Sequence, residues 1–293
     1  MPRTDSNGVG IEYDTIGDPN DPALLLVMGF ATQLTAWDLE FCQLLADRGL
    51  NIIRFDNRDC GLSHKTEGDP PNIMTLMMAV TSGQEITVEV PYTLSEMAAD
   101  GLSVLDHLGI GKAHVVGASM GGMIAQQMAI EHPDRVLSLT SIMSTTGNAS
   151  VGQGTQEALM ALFSPPPDTR DEVIERGVKI GAIVCGPHFD EAEARVRIGQ
   201  AFDRSYWPQG APFQIAAIAK TGDRTEGLAN LDTPALVIHG EVDSLVALSG
   251  GEATAASIPG AELLTFDDMG HDLPKPRWPE ITQAIAELTR RET

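Results

Sequence analysis

The feature that most constrains the fold of this chain is a series of six short, continuous apolar runs. They show almost no alternation of apolar and polar residues, which is typical of strands buried on both faces of a parallel sheet. Amphipathic helical patterns separate the runs, so the sequence predicts an α/β fold with a doubly wound, mostly parallel sheet. The runs span residues 23–29, 51–58, 113–117, 136–145, 234–240 and 261–266, and the main helical patterns span 34–49, 93–109, 119–132 and 276–291.

Local signals add detail at two places. Residues 9–17 alternate between apolar and polar side chains, which predicts an antiparallel edge hairpin ahead of the first buried run. Thr93 is followed three residues later by Glu96, the spacing of a capping box, so we expect a helix to begin directly after Thr93.

Two stretches interrupt the alternation of strands and helices. Residues 147–225 contain helical patterns separated by proline-rich segments and no strand pattern. We therefore predict a helical cap over 147–225, inserted into a core formed by residues 1–146 and 226–293. Residues 64–92 include a methionine-rich run, which suits either the wall of an adaptable pocket or a surface loop anchored by a helix.

Charge and composition limit the possible partners. The 293 residues include 41 acidic and 19 basic side chains, for a net charge of −22. Such a surface repels phosphate backbones, which argues against nucleic-acid binding and against a basic membrane-binding face. The charge is explained by solubility or, alternatively, by exclusion of anionic substrates.

The sequence lacks the patterns of a membrane span, a signal peptide, a disulfide framework and a metal cluster. No apolar stretch approaches the length of a membrane span, and the first 22 residues contain no apolar signal-peptide core. The cysteines, at positions 42, 60 and 185, are too far apart for a disulfide framework or a metal cluster. We expect a cytoplasmic protein, either a monomer or a homodimer, with neither metal nor organic cofactor.

A lone serine stands on a glycine-rich turn between a buried strand and a helix. Residues 115–125 read VVGASMGGMIA, with Ser119 between Gly117 and Gly121. In a strand–turn–helix context, G-x-S-x-G places the serine hydroxyl on a sharp turn above the carboxyl end of the sheet. The helix that follows directs its positive N-terminal end toward developing negative charge. We interpret Ser119 as a nucleophile; the alternative is a turn with a capping serine.

A serine hydroxyl needs a base, and the base needs an orienting acid. Of the seven histidines, His271 follows the last predicted strand, from which a loop can reach back to a central serine. Asp243 follows the strand 234–240 at its carboxyl end, where α/β sheets place catalytic groups. Glu241 is a competitor, and three further carboxylates sit beside His271, at Asp267, Asp268 and Asp272.

Two backbone amides are candidates for an oxyanion hole. Met120 directly follows the nucleophile, and Phe30 follows Gly29 in the loop after the first buried run. Only the N–H groups of Phe30 and Met120 would act on the substrate.

These motifs together resemble the α/β-hydrolase superfamily over almost the whole chain. The resemblance rests on VMGF, FDNRDCGLS, HVVGASMGGMIA, VIHGEVDSLV and GHDLP, in that order. It implies the family's Ser…Asp…His order for Ser119, Asp243 and His271. FDNRDCGLS is similar to the family's D-x-R-G-x-G-x-S turn, with Asp59 where glycine is usual, and Asp56 and Arg58 are expected to fix that turn. The resemblance is nearest to the esterase branch of aclacinomycin methylesterase-like enzymes and bacterial carboxylesterases.

The resemblance implies a serine hydrolase that cleaves small to medium, hydrophobic carboxylic esters through an acyl-enzyme. The serine at the elbow disfavours relatives that use aspartate as nucleophile, namely haloalkane dehalogenases and epoxide hydrolases. Cofactor-free haloperoxidases or perhydrolases, lactonases, thioesterases and carbon–carbon bond hydrolases remain alternatives at the same triad. A non-catalytic, hydrolase-like small-molecule binding protein is the alternative from another class.

The predicted cap carries aromatic side chains that suit either an apolar pocket or packing of cap helices on the core. They are Phe202, Tyr206, Trp207 and Phe213.

Overall fold

The computed structural model describes residues 2–4, 8–73, 75, 76 and 89–292, and its centre is a seven-stranded sheet. The strand order across the sheet is β1-β3-β2-β4-β5-β6-β7, with only β1 antiparallel to its neighbour. The strands are β1 (Tyr13–Ile16), β2 (Ala23–Val27), β3 (Asn51–Phe55), β4 (Ala113–Ala118), β5 (Val136–Ile142), β6 (Ala235–Gly240) and β7 (Glu262–Phe266).

Helices connect the parallel strands. They are α1 (Leu39–Ala46), α2 (Leu94–His107), α3 (Met120–Glu131), α4 (Gln156–Leu162), α5 (Arg170–Val184), α6 (Glu191–Arg204), α7 (Gly210–Thr221), α8 (Thr225–Leu228), α9 (Leu248–Ser257) and α10 (Trp278–Thr289). Short 3-10 turns cover Leu34–Ala36, Lys275–Arg277 and Arg290–Glu292.

The six apolar runs form strands because both faces of the sheet are covered. In β4, Val115 packs into a cluster with α2 and α3, whereas the adjacent Val116 packs into a cluster with α1 and α10. Successive side chains of a strand point to opposite faces, so the central runs are buried along their length, whereas β7, at the edge of the sheet, exposes Glu262 and Leu263. The predicted α/β class and the doubly wound, mostly parallel sheet are confirmed.

The elements at the start of the chain differ from the sequence prediction in detail. β1 pairs antiparallel with β3, a strand far along the chain, and only an isolated bridge joins Arg3 to Glu12. The helix expected over 34–49 begins at Leu39, because the Asp38 side chain accepts a hydrogen bond from Glu40 N and caps the helix there. The capping box of α2 forms as predicted.

Helices α4 to α8 connect β5 to β6. Residues 147–225 contain no strand, and all of them are described. Much of the methionine-rich stretch lies outside the described residues, which leave out position 74 and positions 77–88. Within the described parts of the chain, no helix combines the length and the apolar character that crossing a membrane requires.

Candidate active site

Ser119 lies at a sharp turn that only small neighbours permit. Its φ of +57° is in the left-handed region, which is costly for a residue with a side chain. A Cβ on Gly117 would lie 2.0 Å from Gly121 O, and one on Gly121 would lie 2.0 Å from Val27 O. The two glycines therefore let α3 begin directly against β2 and β4, with Ser119 between strand and helix.

Hydrogen bonds hold the backbone of this turn. Ser119 N donates to Ile142 O at 2.9 Å, at the end of the neighbouring strand β5. Ser119 O accepts from Gly122 N, from Met123 N and from the Ser144 hydroxyl at 2.8 Å. Sequence reasoning missed Ser144, since nothing in its local sequence distinguishes it from any other serine after a strand.

The side chains of Ser119, His271 and Asp243 form one continuous hydrogen-bonded chain. His271 Nε2 lies 2.9 Å from Ser119 Oγ, and His271 Nδ1 lies 2.7 Å from Asp243 Oδ2. A carboxylate only accepts hydrogen bonds, so Nδ1 carries the proton and the Nε2 lone pair faces the serine hydroxyl. The arrangement can remove a proton from Ser119 and hold the resulting imidazolium.

Backbone groups fix the positions of Asp243 and His271. Asp243 Oδ1 accepts from Leu245 N at 2.9 Å and from Val246 N at 2.8 Å, so both carboxylate oxygens are used. His271 N donates to Val184 O at 2.7 Å, which ties the histidine loop to the end of α5.

The competing carboxylates have other partners. Glu241 accepts from Thr265 Oγ1, and Asp268 pairs with His188 and Arg277. The Arg277 hydrogen bond, followed by that of His188, lowers the pKa of Asp268 to about 2. Asp272 accepts from Gly186 N and Gly270 N, while its burial raises its pKa.

His239 is the histidine nearest to Asp243 apart from His271. It is fully buried, and its Nε2 donates to Val246 O at 2.8 Å but lies 3.7 Å from Asp243 Oδ2. Burial lowers its pKa, so His239 is neutral at pH 7 and contributes no charge to the site.

The two amides predicted for an oxyanion hole flank the serine. A Cβ on Gly29 would lie 3.1 Å from Ser119 Cβ, so the loop that carries Phe30 passes close to Ser119. Within the described part of the chain, neither Phe30 N nor Met120 N donates to a protein acceptor. Both N–H groups are therefore available to a ligand.

A cavity of about 570 Å³ opens beside Ser119 and His271. Helices between β5 and β6 contribute Leu159, Ile180, Ile198 and Ile215 to its wall. The core side contributes mainly apolar and aromatic side chains, including Met28, Phe30, Trp37, Phe41, Met120, Met123, Met143, Leu273 and Trp278. Such a cavity suits a hydrophobic ligand, and its charged lining residues are Asp38, Arg197 and Asp272.

The aromatic side chains considered as pocket residues lie elsewhere. None of them is among the described residues that line the cavity. Phe202 and Tyr206 pack against each other, and the Tyr206 hydroxyl donates to Pro167 O. Trp207 is 38% exposed, whereas Phe213 is buried in the core cluster beside α3. Of the two alternatives left open by the sequence, pocket lining does not hold for these four residues, because each is used for packing or faces solvent.

The turn after β3 is held by buried hydrogen bonds and ion pairs. Asp56 is fully buried and accepts from Leu34 N, from Leu62 N and from Arg204 at 2.7 Å. Arg58 forms a two-point ion pair with Asp100. Both residues fix the turn, as the sequence predicted.

Asp59 fits the turn in place of the usual glycine. Its φ is +63°, and its carboxylate accepts from Thr66 N, the Thr66 hydroxyl and the Tyr92 hydroxyl. These three hydrogen bonds compensate for the strained backbone.

The side-chain groupings that bind metal ions are built mainly from His, Cys, Asp and Glu residues. The described residues contain no group of three His, Cys, Asp or Glu side chains arranged to hold a metal ion. Burial raises the pKa of the Cys185 thiol at the cavity wall to about 12, so it is protonated at pH 7.

Known proteins are similar to this chain in sequence and in structure. Residues 22–180 match the sequence profile of the alpha/beta hydrolase fold family. A rhodomycin D methylesterase from Streptomyces sp. strain C5 is 30% identical over an alignment covering 95% of this chain and 94% of the relative. A second rhodomycin D methylesterase, from Streptomyces peucetius, is 29% identical with the same coverage.

The likeness in three dimensions extends over the whole chain. The solved structure of a meta-cleavage product hydrolase variant from Pseudomonas fluorescens IP01 superimposes with a TM-score of 0.79. The match covers 100% of this chain and 98% of the other, at 19% sequence identity. At that identity the likeness concerns the fold alone.

Proposed function

The chain belongs to the alpha/beta hydrolase fold family and is an ester hydrolase, and from that premise we propose that it works through an acyl-enzyme on Ser119. The observation that carries the proposal is the unbroken chain of hydrogen bonds at the cavity. Ser119 Oγ lies 2.9 Å from His271 Nε2, and His271 Nδ1 lies 2.7 Å from Asp243 Oδ2. A nucleophile, a base and an orienting acid are thus in contact where a ligand can enter.

Acylation follows from this geometry. Ser119 Oγ attacks the ester carbonyl carbon while its proton passes to His271 Nε2. The Phe30 and Met120 amides donate to the negative oxygen of the tetrahedral intermediate. The intermediate then breaks its bond to the alcohol oxygen, which takes the proton from His271 and leaves as the free alcohol.

Deacylation repeats the sequence with water. His271 Nε2 removes a proton from a water molecule that attacks the acyl carbonyl, and the same two amides hold the oxyanion. Collapse of the second intermediate releases the carboxylic acid and returns the proton to Ser119 Oγ. Asp243 stabilises the imidazolium in both halves.

The proposed substrates are uncharged methyl esters of large apolar acids. The cavity wall is mainly aliphatic, aromatic and methionine side chains, which favours an apolar acyl group. The relatives that are 30% and 29% identical are methylesterases, which favours a methyl leaving group. We assign the cap segment 147–225 to one wall of the acyl site, with the core 1–146 and 226–293 carrying the catalytic groups.

The test is hydrolysis of two matched ester series by the purified protein. p-Nitrophenyl esters from acetate to laurate report turnover, and methyl acetate against methyl naphthylacetate reports acyl size. Ser119→Ala should lose activity on every ester, since the same change costs about 10⁶-fold in kcat in an unrelated serine hydrolase. Ser150→Ala is the matched control, because Ser150 is an exposed serine outside the cavity.

Two outcomes contradict parts of the proposal. Retention of most turnover by Ser119→Ala would remove Ser119 from the mechanism. A higher kcat/KM for methyl acetate than for methyl naphthylacetate would overturn the assignment of a large apolar acyl group, and lactone and peroxide assays on the same protein would then test the alternatives.

A further inference from the structure

A buried glutamine on the cap segment contacts the loop that carries one oxyanion amide. Gln214 lies in α7, in the apolar stretch PFQIAAIA, and its relative exposure is 0%. Its Oε1 accepts from Ala31 N at 2.8 Å, and its Nε2 donates to Arg58 O at 2.8 Å. The side chain thus links a cap helix to two separate core loops.

The contact with Ala31 acts on the residue next to Phe30. Ala31 has a φ of +51°, a conformation that is strained for any residue with a side chain. The Gln214 acceptor stabilises this backbone and occupies the Ala31 N–H, so that the Phe30 N–H is the one left for a ligand. The backbone of Gly29, the residue before Phe30, passes close to the serine, since a Cβ added there would lie 3.1 Å from Ser119 Cβ.

The contact with Arg58 O anchors the Gln214 amide to a residue that is itself held in place. The Arg58 guanidinium is paired with Asp100 and lies over the Tyr92 ring. One helical turn before Gln214, a Cβ on Gly210 would lie 2.0 Å from Asp59 O, so α7 rests directly on the same turn. Only a primary amide offers both an acceptor for Ala31 and a donor for Arg58 at this length.

We propose that Gln214 is a positioning residue of the oxyanion hole: its amide fixes the Phe30–Ala31 peptide against the Arg58 turn so that Phe30 N faces the substrate oxyanion. This inference rests on the proposed function of Ser119. It assigns the cap segment a part in transition-state stabilisation, in addition to forming the wall of the cavity.

The main test compares Gln214→Met with wild type. Methionine keeps the length and the apolar stem but can neither accept from Ala31 nor donate to Arg58. We expect kcat to fall by about tenfold or more with KM within about threefold, because an oxyanion donor acts mainly in the transition state and a lost donor costs about 10²–10³-fold. The exposed Gln209, just before α7, gives the control Gln209→Met, which should match wild type.

A second readout separates positioning from a merely structural role. An aryl trifluoromethyl ketone adds to a serine hydroxyl and places its oxyanion where the tetrahedral intermediate has one. Its inhibition constant for Gln214→Met should rise by about the factor lost in kcat, since such inhibitors report transition-state binding. Gln214→Glu keeps the acceptor for Ala31. Its kcat and its affinity for the ketone should therefore lie between those of Gln214→Met and wild type.

The outcomes decide the proposal in each case. A folded Gln214→Met protein with wild-type kcat and ketone affinity overturns it, as does a loss confined to KM or to the melting temperature. If Gln214→Met does not fold, Gln214→Asn decides by the same criteria, because a shorter polar chain cannot span both contacts. If Ser119→Ala binds the ketone as tightly as wild type, the proposed function itself has failed; if it does not, a null result at Gln214 concerns this inference alone.

Discussion

At the scale of single residues, the site depends on how completely each side chain is held. Asp243 illustrates this, because one carboxylate oxygen faces His271 while the other accepts two backbone N–H groups. The carboxylate can neither rotate nor turn toward solvent, and the imidazole is kept in the tautomer that presents Nε2 to Ser119.

Replacing that carboxylate by an amide should disable the base. Asp243→Asn places a donor group where His271 Nδ1–H needs an acceptor, so the wrong tautomer is favoured. In an unrelated serine protease the equivalent change lowers kcat by about 10⁴-fold, and we expect a loss of that order here with the fold retained. Steady-state kinetics on a p-nitrophenyl ester, with circular dichroism as the folding check, measure it.

Glu241→Gln is the matched control for this prediction. Glu241 is an exposed carboxylate two residues away, whose partner is Thr265. It should retain wild-type kcat, and a larger loss in Glu241→Gln than in Asp243→Asn would show that the acid of the triad has been misassigned.

Some residue-level features were predictable and others were not. Ser119, Asp243 and His271 stand at strand ends in a fixed chain order, and the fold brings those ends to one edge of the sheet. Gln214 contacts Ala31 across 183 positions of sequence, and no local sequence pattern predicts a contact at that separation. The sequence left the aromatic residues of 147–225 open between pocket lining and packing, because their packing partners come from tertiary structure.

At the scale of elements, the strands were the most predictable part of the molecule. The six apolar runs became β2 to β7, because the central strands are buried on both faces and favour apolar residues, and the edge strand β7 keeps an apolar run although Glu262 and Leu263 are exposed. Helix ends depended on capping groups, and the Asp38 cap shortened the helix expected over 34–49. The partner of β1 was not predictable, because the residues of an edge strand do not indicate which neighbouring strand it pairs with.

The close packing around the Ser119 turn predicts that alanine is tolerated poorly at Gly121 but well at Gly111. A Cβ added at Gly121 would lie 2.0 Å from the backbone oxygen of Val27, so Gly121→Ala must push α3 away from β2. We expect a loss of about 1–3 kcal/mol or more in the free energy of unfolding, as overpacking in a close-packed interior typically costs. Displacement of Ser119 should lower kcat as well.

Gly111→Ala provides the control for the elbow. A Cβ at Gly111 meets nothing within 4 Å. Urea unfolding and esterase assays should therefore separate the two variants clearly. Equal stability and activity of Gly121→Ala and Gly111→Ala would contradict the close approach of α3 to β2.

At the scale of the whole molecule, the sheet and the charge were readable from the sequence, whereas the cavity was not. Strand and helix order determine a doubly wound sheet, but the shape of the cavity depends on how five helices between β5 and β6 pack over it. No local pattern encodes that packing. The net charge of −22 describes the surface of the molecule and leaves the mainly apolar cavity wall unspecified.

Global stability should depend on pH through a histidine in the centre of the sheet. His114 on β4 is fully buried opposite Ser138 on β5, with its Nδ1 2.8 Å from the hydroxyl. Burial lowers its pKa from 6.5 to about 4. As pH falls from 6.5 toward 4, the unfolded chain takes up a proton that the folded protein does not, so stability falls with falling pH.

Urea unfolding of wild type and His114→Gln at pH 7.5 and pH 5 measures this contribution. The wild type should lose on the order of 1–2 kcal/mol more than the variant between the two pH values. His107→Gln is the control, since His107 is exposed at the end of α2, and its loss should equal that of wild type. Parallel losses in wild type and His114→Gln would contradict the role assigned to His114.

The most direct test of the account is identification of the acyl-enzyme itself. The protein is mixed with a p-nitrophenyl ester, quenched in acid within the first turnovers, and digested for peptide mass spectrometry. We predict an acyl adduct on the peptide that contains Ser119, absent in Ser119→Ala and accumulating on the time scale of the p-nitrophenol burst. Steady ester turnover with no adduct, or with an adduct on another residue, would contradict the assignment of Ser119 as the nucleophile.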